Sequence, residues 1–252
     1  SRSLVTQDID LVYHIGAFSS PWGTWEEYYN SNVATTRRLV QESLAAKIER
    51  FIHVSSTAVQ FEFRDRVNLK ESDAIPSRLS CNYAKSKAAA EAIVQEGFQN
   101  GLAGIILRAR AVIGTGDRSL FPRLLRAAEN GRLPVIGDGK NRIDLSHIDN
   151  LVQALLLAAT HGKNGSVYTI TNDEPVALWE LIRQVSETMH FRKPRIPRLP
   201  YRLATCVASV SEILHRILPH LGEPKLTRYT VGLLAKTQTF DITAAKQELH
   251  YK

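Results

Sequence analysis

The stretch "DLVYHIGAFSSPWG", Asp10–Gly23, decides how the rest of the chain is read. It begins as a buried β-strand, breaks at Gly16 and Ala17 into small residues, and gives way to a helical pattern near Thr24. A strand end lined by small residues lets a flat ligand lie against backbone, because no bulky side chain stands in the way. Three further strand-like runs follow: "RFIHVS" (50–55), "GIILRAR" (104–110) and "SVYTI" (166–170). Helical spacing of apolar residues at about 24–48 and 82–99 fills the intervals. In the second helix Ser80 or Asn82 is expected to cap the start, with Gly97 and Gly101 flanking the stop. Strands that alternate with helices argue for a parallel sheet covered on both faces. The expected class is α/β, a doubly wound parallel sheet.

Bulk properties narrow the field. With 252 residues there is enough chain for one large domain, or a domain with a small appendage. Hydrophobic content of 44% and charged content of 23% are those of an ordinary globular protein. Cys81 and Cys206 form no disulfide framework and no metal-ligand spacing, and "SRSLVTQDID" lacks the apolar segment of a signal peptide, so a cytoplasmic setting is expected. A net charge of +7 raises the question of nucleic acid. The basic residues are spread along the chain, densest at "FRKPRIPRLPYR" (191–202), without the aromatic and glycine interleaving of an RNA-binding sheet. No nucleic-acid partner is expected; the charge suits a small anionic ligand.

After residue 170 the character changes. "NDEPVALWELIRQVSETM" is expected to form a helix with Asn172 or Asp173 near its start and Pro175 in its first turn. "YRLATCVASVSEILHRILPHL" is amphipathic rather than membrane-spanning, because Arg202, Glu212, His215 and Arg216 interrupt it. It is read first as a helix packed on the main domain, with a lid over an apolar substrate or a membrane-surface contact as the competing roles. Asp144, His147 and Asp149 are read as structural rather than as a metal site, and His53 as a hydrogen-bonded core residue.

The chemistry concentrates in two places. In "CNYAKSKAAAE", Tyr83 and Lys87 stand four residues apart, on one helix face with Cβ atoms about 5–6 Å apart. A free phenol is a poor acid–base group at neutral pH, and a nearby ammonium favours its ionised form. In "RFIHVSSTAVQF" an apolar strand ends in Ser55, Ser56 and Thr57 ahead of that helix. A hydroxyl at a strand's C-terminal end and a Tyr–Lys helix beside it meet at the crevice where open parallel sheets bind ligands.

At this point the chain resembles the extended short-chain dehydrogenase/reductase family, from about Asp10 to the last residue. "VYHIGA", "NSNVATTRRLV", "VSSTAV", "YAKSK", "LRARAVIGTGD", "RIDLSHIDNLVQALLLA", "YTITNDEPVALWELI" and "FDITAAKQELHYK" stand in the family's order and spacing. The resemblance implies a Rossmann-type sheet over residues 1–170 and a smaller, mostly helical substrate region over 171–252, interleaved with the first. It implies Ser56, Tyr83 and Lys87 as catalytic residues. It places Ile15, Gly16, Ala17, Asn32, Ser55, Ala109 and Val112, with Tyr83 and Lys87, along an NAD or NADP cofactor. Thr35 stands where glycine is usual, and Ala109 where proline or an aromatic is frequent. Arg142 matches an arginine that contacts the diphosphate of nucleotide sugars, and competes with a solvent-facing role beside Asp144.

The acidic pair of the family's dehydratases is replaced by Thr57 and Ala58, which cannot shuttle protons. The late segments, with "SSPWGT", are similar to the 3β-hydroxysteroid and sterol dehydrogenase branch, in which Pro21 and Trp22 would wall an apolar substrate pocket. The expected reaction is NAD(P)-dependent interconversion of a hydroxyl and a ketone on a bulky apolar small molecule, sterol-like or 3-oxoacyl-like. The alternatives are a nucleotide-sugar epimerase using the same three residues, and a non-catalytic cofactor-sensing or scaffold protein. A homodimer is the one protein partner considered.

A phosphate-cradling glycine turn must leave a strand and open a helix. Gly97, Gly101 and Gly104 in "EGFQNGLAG" instead end a helix and enter a strand. By the family pattern "DLVYHI" is the fourth strand, preceded by about 60 residues that carry the glycine turn and the residue selecting NAD or NADP. The 252-residue chain is therefore expected to bind dinucleotide weakly by itself. Fluorescence titration with NADH and NADPH checks this against a chain extended upstream; equally tight binding by the two would reject it.

Overall fold

In the computed structural model, which describes residues 9–117, 121–130, 134–189 and 198–252, four parallel strands form a central sheet. They are β1 (Leu11–His14), β2 (Arg50–Ser56), β3 (Gly104–Ala109) and β4 (Val167–Ile170), hydrogen-bonded in that order. The stretch from 191 to 197 of the basic segment lies outside the described residues. The first crossover runs through α1 (Trp25–Tyr28), a π-helical turn (Tyr29–Ala34) and α2 (Thr35–Ala46); the second runs through α3 (Asn82–Gln99). Then come α4 (Phe121–Glu129), α5 (Ile148–Ala158), α6 (Leu178–Thr188), α7 (Tyr201–Ile217), α8 (Arg228–Ala235) and α9 (Thr243–Glu248).

Alternation along a strand sends successive side chains to opposite faces, so a strand buried on both faces must be apolar throughout. In β2 and β3, Ile52, Val54, Ile105 and Leu107 enter one core with Leu151, Ala154, Ala245 and Leu249. Phe51 and Ile106 enter the other with Val40, Ile93 and Val94 of α2 and α3. A third cluster joins Ile136, Ile143, Trp179, Ile182, Ala204, Ala208, Val231 and Leu234, so α6, α7 and α8 pack on one another. Residues from both sides of position 170 contribute to it. A second, mixed sheet (176–177, 142–143, 238–240 and 66–69, in that order) brings the C-terminal segment back beside the strand that follows the Ser56 turn.

Several local expectations give way to tertiary context. The strand in "DLVYHI" is less buried than its composition implies: among the described residues β1 pairs with β2 alone, and Tyr13 is exposed. At the start of α3 the capping position is Cys81, with no side-chain cap. Asn82, expected as a cap, instead donates to Gly23 O at 3.2 Å and ties the helix to the loop after β1. Pro175 precedes a short strand, Val176–Ala177, and α6 opens only at Leu178. Asn172 accepts the His147 N–H at 2.7 Å and Asn150 Nδ2 at 2.9 Å, pinning the start of α5. His53 is fully buried, yet neither ring nitrogen has a hydrogen-bond partner among the described residues.

Gly104 shows why the "EGFQNGLAG" glycines are there. A Cβ at this position would stand 2.0 Å from Phe51 O, so β3 can begin against β2 only as bare backbone. Gly101, at φ +97°, turns the chain out of α3 just before it. We expect Gly104→Ala to force β2 and β3 apart at the sheet centre and to cost about 2–3 kcal/mol. Urea unfolding should show a lower midpoint; an unchanged one would refute the steric account.

Candidate active site

Ser56 ends β2 and opens a 3₁₀ turn, Thr57–Gln60, in which its Oγ accepts the Ala58 N–H at 3.2 Å. Tyr83 and Lys87 occupy successive turns of α3, which crosses the same strand end. The Tyr83 phenol lies near the Ser56 hydroxyl. Burial raises the Tyr83 phenol above its ordinary value, and the nearby Ser56 hydroxyl pulls it part of the way back. The Lys87 ammonium is buried and donates to Val54 O at 2.7 Å, inside the sheet. Its long stem carries the charge past the tyrosine to the strand, so in the chain alone Lys87 does not lower the Tyr83 phenol as the four-residue spacing suggested. Desolvation holds the ammonium down at about 8, against the opposing pull of the Glu91 carboxylate.

Glu91 and Arg108 were not anticipated as site supports. Glu91 lies one further turn along α3, and its carboxylate takes Arg108 Nε at 3.0 Å and Nη2 at 2.8 Å; both side chains are almost wholly buried. Arg108 also reaches Glu71 O at 3.4 Å. The available signal was the arginines inside the run "GIILRAR", of which Arg108 stands among apolar residues where no solvated charge can sit.

A second set of hydrogen bonds fixes the loop after β1. Asn32, inside the π-helical turn, accepts the Phe18 N–H at 2.7 Å and donates to Phe18 O at 3.0 Å and Ser86 Oγ at 2.9 Å. Ser86 in turn donates to Tyr83 O at 2.9 Å. Thr36 Oγ1 donates to Asn32 O at 2.6 Å, which leaves it to accept from His14 Nε2 at 2.7 Å. Burial and the Lys87 charge hold His14 down at about 4 and His53 well below the usual range, so this stacked pair, 5.0 Å between centroids, is neutral beside the ammonium. Asn32 therefore joins the loop to the Tyr83 helix rather than presenting a free amide.

The other sequence-derived positions are distributed as follows. Ile15, Gly16 and Ala17 lie exposed at the C-terminal end of β1, and a Cβ on Gly16 would meet nothing within 4 Å. Ser55 Oγ is buried without a partner among the described residues, and Ala109 is buried at the end of β3. Val112 stands in a two-residue strand paired with Ser146–His147. Pro21 and Trp22 line a cavity of about 950 Å³, together with Trp25, Tyr28, Asn82 and Tyr229, and with Glu212, His215 and Arg216 of α7. Tyr28 connects it to the site, its ring 6.4 Å from that of Tyr83. Arg142 is elsewhere: exposed, it donates to Pro175 O at 2.7 Å and does not line the cavity. Asp144 accepts the Phe240 N–H at 2.8 Å, and His147 caps α5 through the Asp149 N–H at 3.3 Å.

Residues 2–172 match the description "NAD dependent epimerase/dehydratase family". The chain is 31% identical, over 258 residues, to a 2-alkyl-3-oxoalkanoate reductase of Shewanella oneidensis, covering 97% of this chain and 66% of that protein. It is also 31% identical to a 3beta-hydroxysteroid-dehydrogenase/decarboxylase (isoform 2) of Arabidopsis thaliana, covering 97% of this chain and 46% of that protein. Among solved structures, MoeE5 in complex with UDP-glucuronic acid and NAD superposes with a TM-score of 0.73 at 26% identity, over 97% of this chain and 74% of that one. The chain thus spans less than two thirds of the length of these two relatives.

Lys87 carries a measurable cost. Its proton is held less tightly folded, at about 8, than unfolded, at 10.5, so the unfolded chain binds more protons between those values and stability rises with pH there. Below pH 8 the full penalty applies. Lys87→Met should stabilise the chain at pH 7 by about 1–3 kcal/mol, after loss of the Val54 bond, and flatten stability between pH 8 and 10. Denaturant titrations across that range read both effects; a destabilised Met variant would contradict them.

Proposed function

The chain belongs to the NAD dependent epimerase/dehydratase family, and on that premise we propose that it interconverts a hydroxyl and a ketone on a bulky, mostly apolar substrate as an NAD(P)-dependent oxidoreductase. The observation that carries this reading is the placing of Ser56, at the end of β2, near Tyr83 and the buried Lys87 of α3, next to a cavity walled by Trp22, Trp25 and Tyr28. The names of the relatives, a 3-oxoalkanoate reductase and a hydroxysteroid dehydrogenase, support the same chemistry.

The residues present fit the nicotinamide end of a dinucleotide. Ser55 Oγ is a buried hydroxyl without a partner among the described residues, and Gly16 leaves open ground at the end of β1. Ile15, Gly16, Ala17, Ser55, Ala109, Val112, Tyr83 and Lys87 would hold it, with Asn32 fixing the loop against which it lies. When bound, the nicotinamide gives or takes the hydride. Ser56 orients the substrate oxygen by hydrogen bonding, and Tyr83 Oη gives that oxygen its proton in reduction or takes it in oxidation. Because burial keeps the phenol protonated, Tyr83 starts in the form that reduction requires. Lys87 places a positive charge next to the strand end, where it would help to hold the cofactor. Pro21 and Trp22 would contact the substrate; a role for Arg142 on a diphosphate belongs to the epimerase alternative, which uses the same Ser56, Tyr83 and Lys87.

Turnover on a panel of 3-oxo acids, sterols and nucleotide sugars separates these readings, and inactivity on all of them with cofactor bound would favour a sensing role. Tyr83→Phe should lower kcat about 10²–10⁴-fold while leaving KM within a few-fold. Unchanged turnover in that variant would overturn the assignment.

A further inference from the structure

The reaction makes no use of the outer face of α7. On its inner side Ala204, Ala208 and Glu212 pack against the domain, Glu212 in an ion pair with Arg228 at 2.9 Å. On its outer side Leu203, Val207, Val210, Leu214 and Ile217 are 45–70% exposed. They recur at i, i+4, i+7, i+11 and i+14, which on a helix is one continuous stripe. Scattered exposed apolar residues are ordinary, but a contiguous row over the whole length of a helix is a contact surface. Leu218 and Leu221 prolong it past the helix end.

The charges beside the stripe say what it contacts. Arg202 lies exposed beside the stripe, Arg216 turns instead over the Trp22 ring at the cavity, 5.7 Å from its centroid, and the only acid on α7 is the inward-facing Glu212. The whole chain carries a net charge of +7. No helix among the described residues is long and apolar enough to cross a membrane. We propose that α7 docks in the plane of a bilayer surface rich in anionic lipid, its apolar stripe at the acyl boundary and Arg202 among the headgroups. The opposite side of α7 gives Glu212, His215 and Arg216 to the cavity, so the bilayer would lie about one helix diameter, roughly 10 Å, from it. The proposal stands apart from the identity of the substrate.

Flotation of the full 252-residue chain with phosphatidylcholine vesicles, with and without about 30% phosphatidylglycerol, tests it. The chain should float with the anionic vesicles and not with the neutral ones. Val210→Asp and Leu203→Asp should lower the partition coefficient at least about tenfold, and Arg202→Gln by a smaller factor that vanishes at high salt, with circular dichroism and thermal midpoints unchanged. Failure to float with either vesicle, or flotation indifferent to Val210→Asp, would overturn the proposal. Equal flotation with neutral vesicles would reject the anionic specificity. A dimer in light scattering that Val210→Asp converts to monomer would assign the stripe to a second copy instead.

Discussion

The buried ion pair between Glu91 and Arg108 holds the catalytic helix to the sheet. Two charges removed from water are tolerable only when each satisfies the other, and here the guanidinium takes the carboxylate through two nitrogens. Breaking such a pair on one side leaves an uncompensated buried charge, at a cost of about 3–5 kcal/mol. This constraint sets both the height and the rotation of α3 over β3. Ser86, Lys87 and Tyr83 inherit their positions from it, and Lys87 reaches Val54 O only because the helix is held at that distance.

The loop after β1 is positioned by different means. Its backbone is held at Phe18 by the Asn32 amide, which sits in a π-helical turn where the widened helix displaces the side chain from a regular α register. The same amide touches Ser86 on α3. Loop and α3 are therefore tied together, and the two neutral histidines beneath them allow the Lys87 charge to be buried there without a competing cation.

Much of this was legible in the chain. The four strands and the long helices announce themselves by apolar runs and helical spacing, and α3 was placed at the residues it occupies, because these signals are local. Ser56, Tyr83 and Lys87 were readable as a group since strand end and helix face are fixed by short-range geometry. What was not legible depended on partners distant in sequence. Cys81 rather than Ser80 or Asn82 stands at the start of α3, because Asn82 is recruited by Gly23. The direction of the Lys87 stem depends on a carbonyl in β2. The exposure of one face of α7 follows from the small residues Ala204 and Ala208 packing closely on α6 and α8, which leaves the large ones outside.

Tyr83, Lys87 and Glu91 follow one another at intervals of four, a rhythm that has a consequence for how this protein can vary. Each added residue turns an α-helix by about 100°, so a single insertion between Tyr83 and Glu91 would aim the phenol and the carboxylate at different neighbours. The segment can change its letters but not its count. The loop before it, from Ala74 to Leu79, answers to no such metric, and length differences among descendants of this chain should gather there.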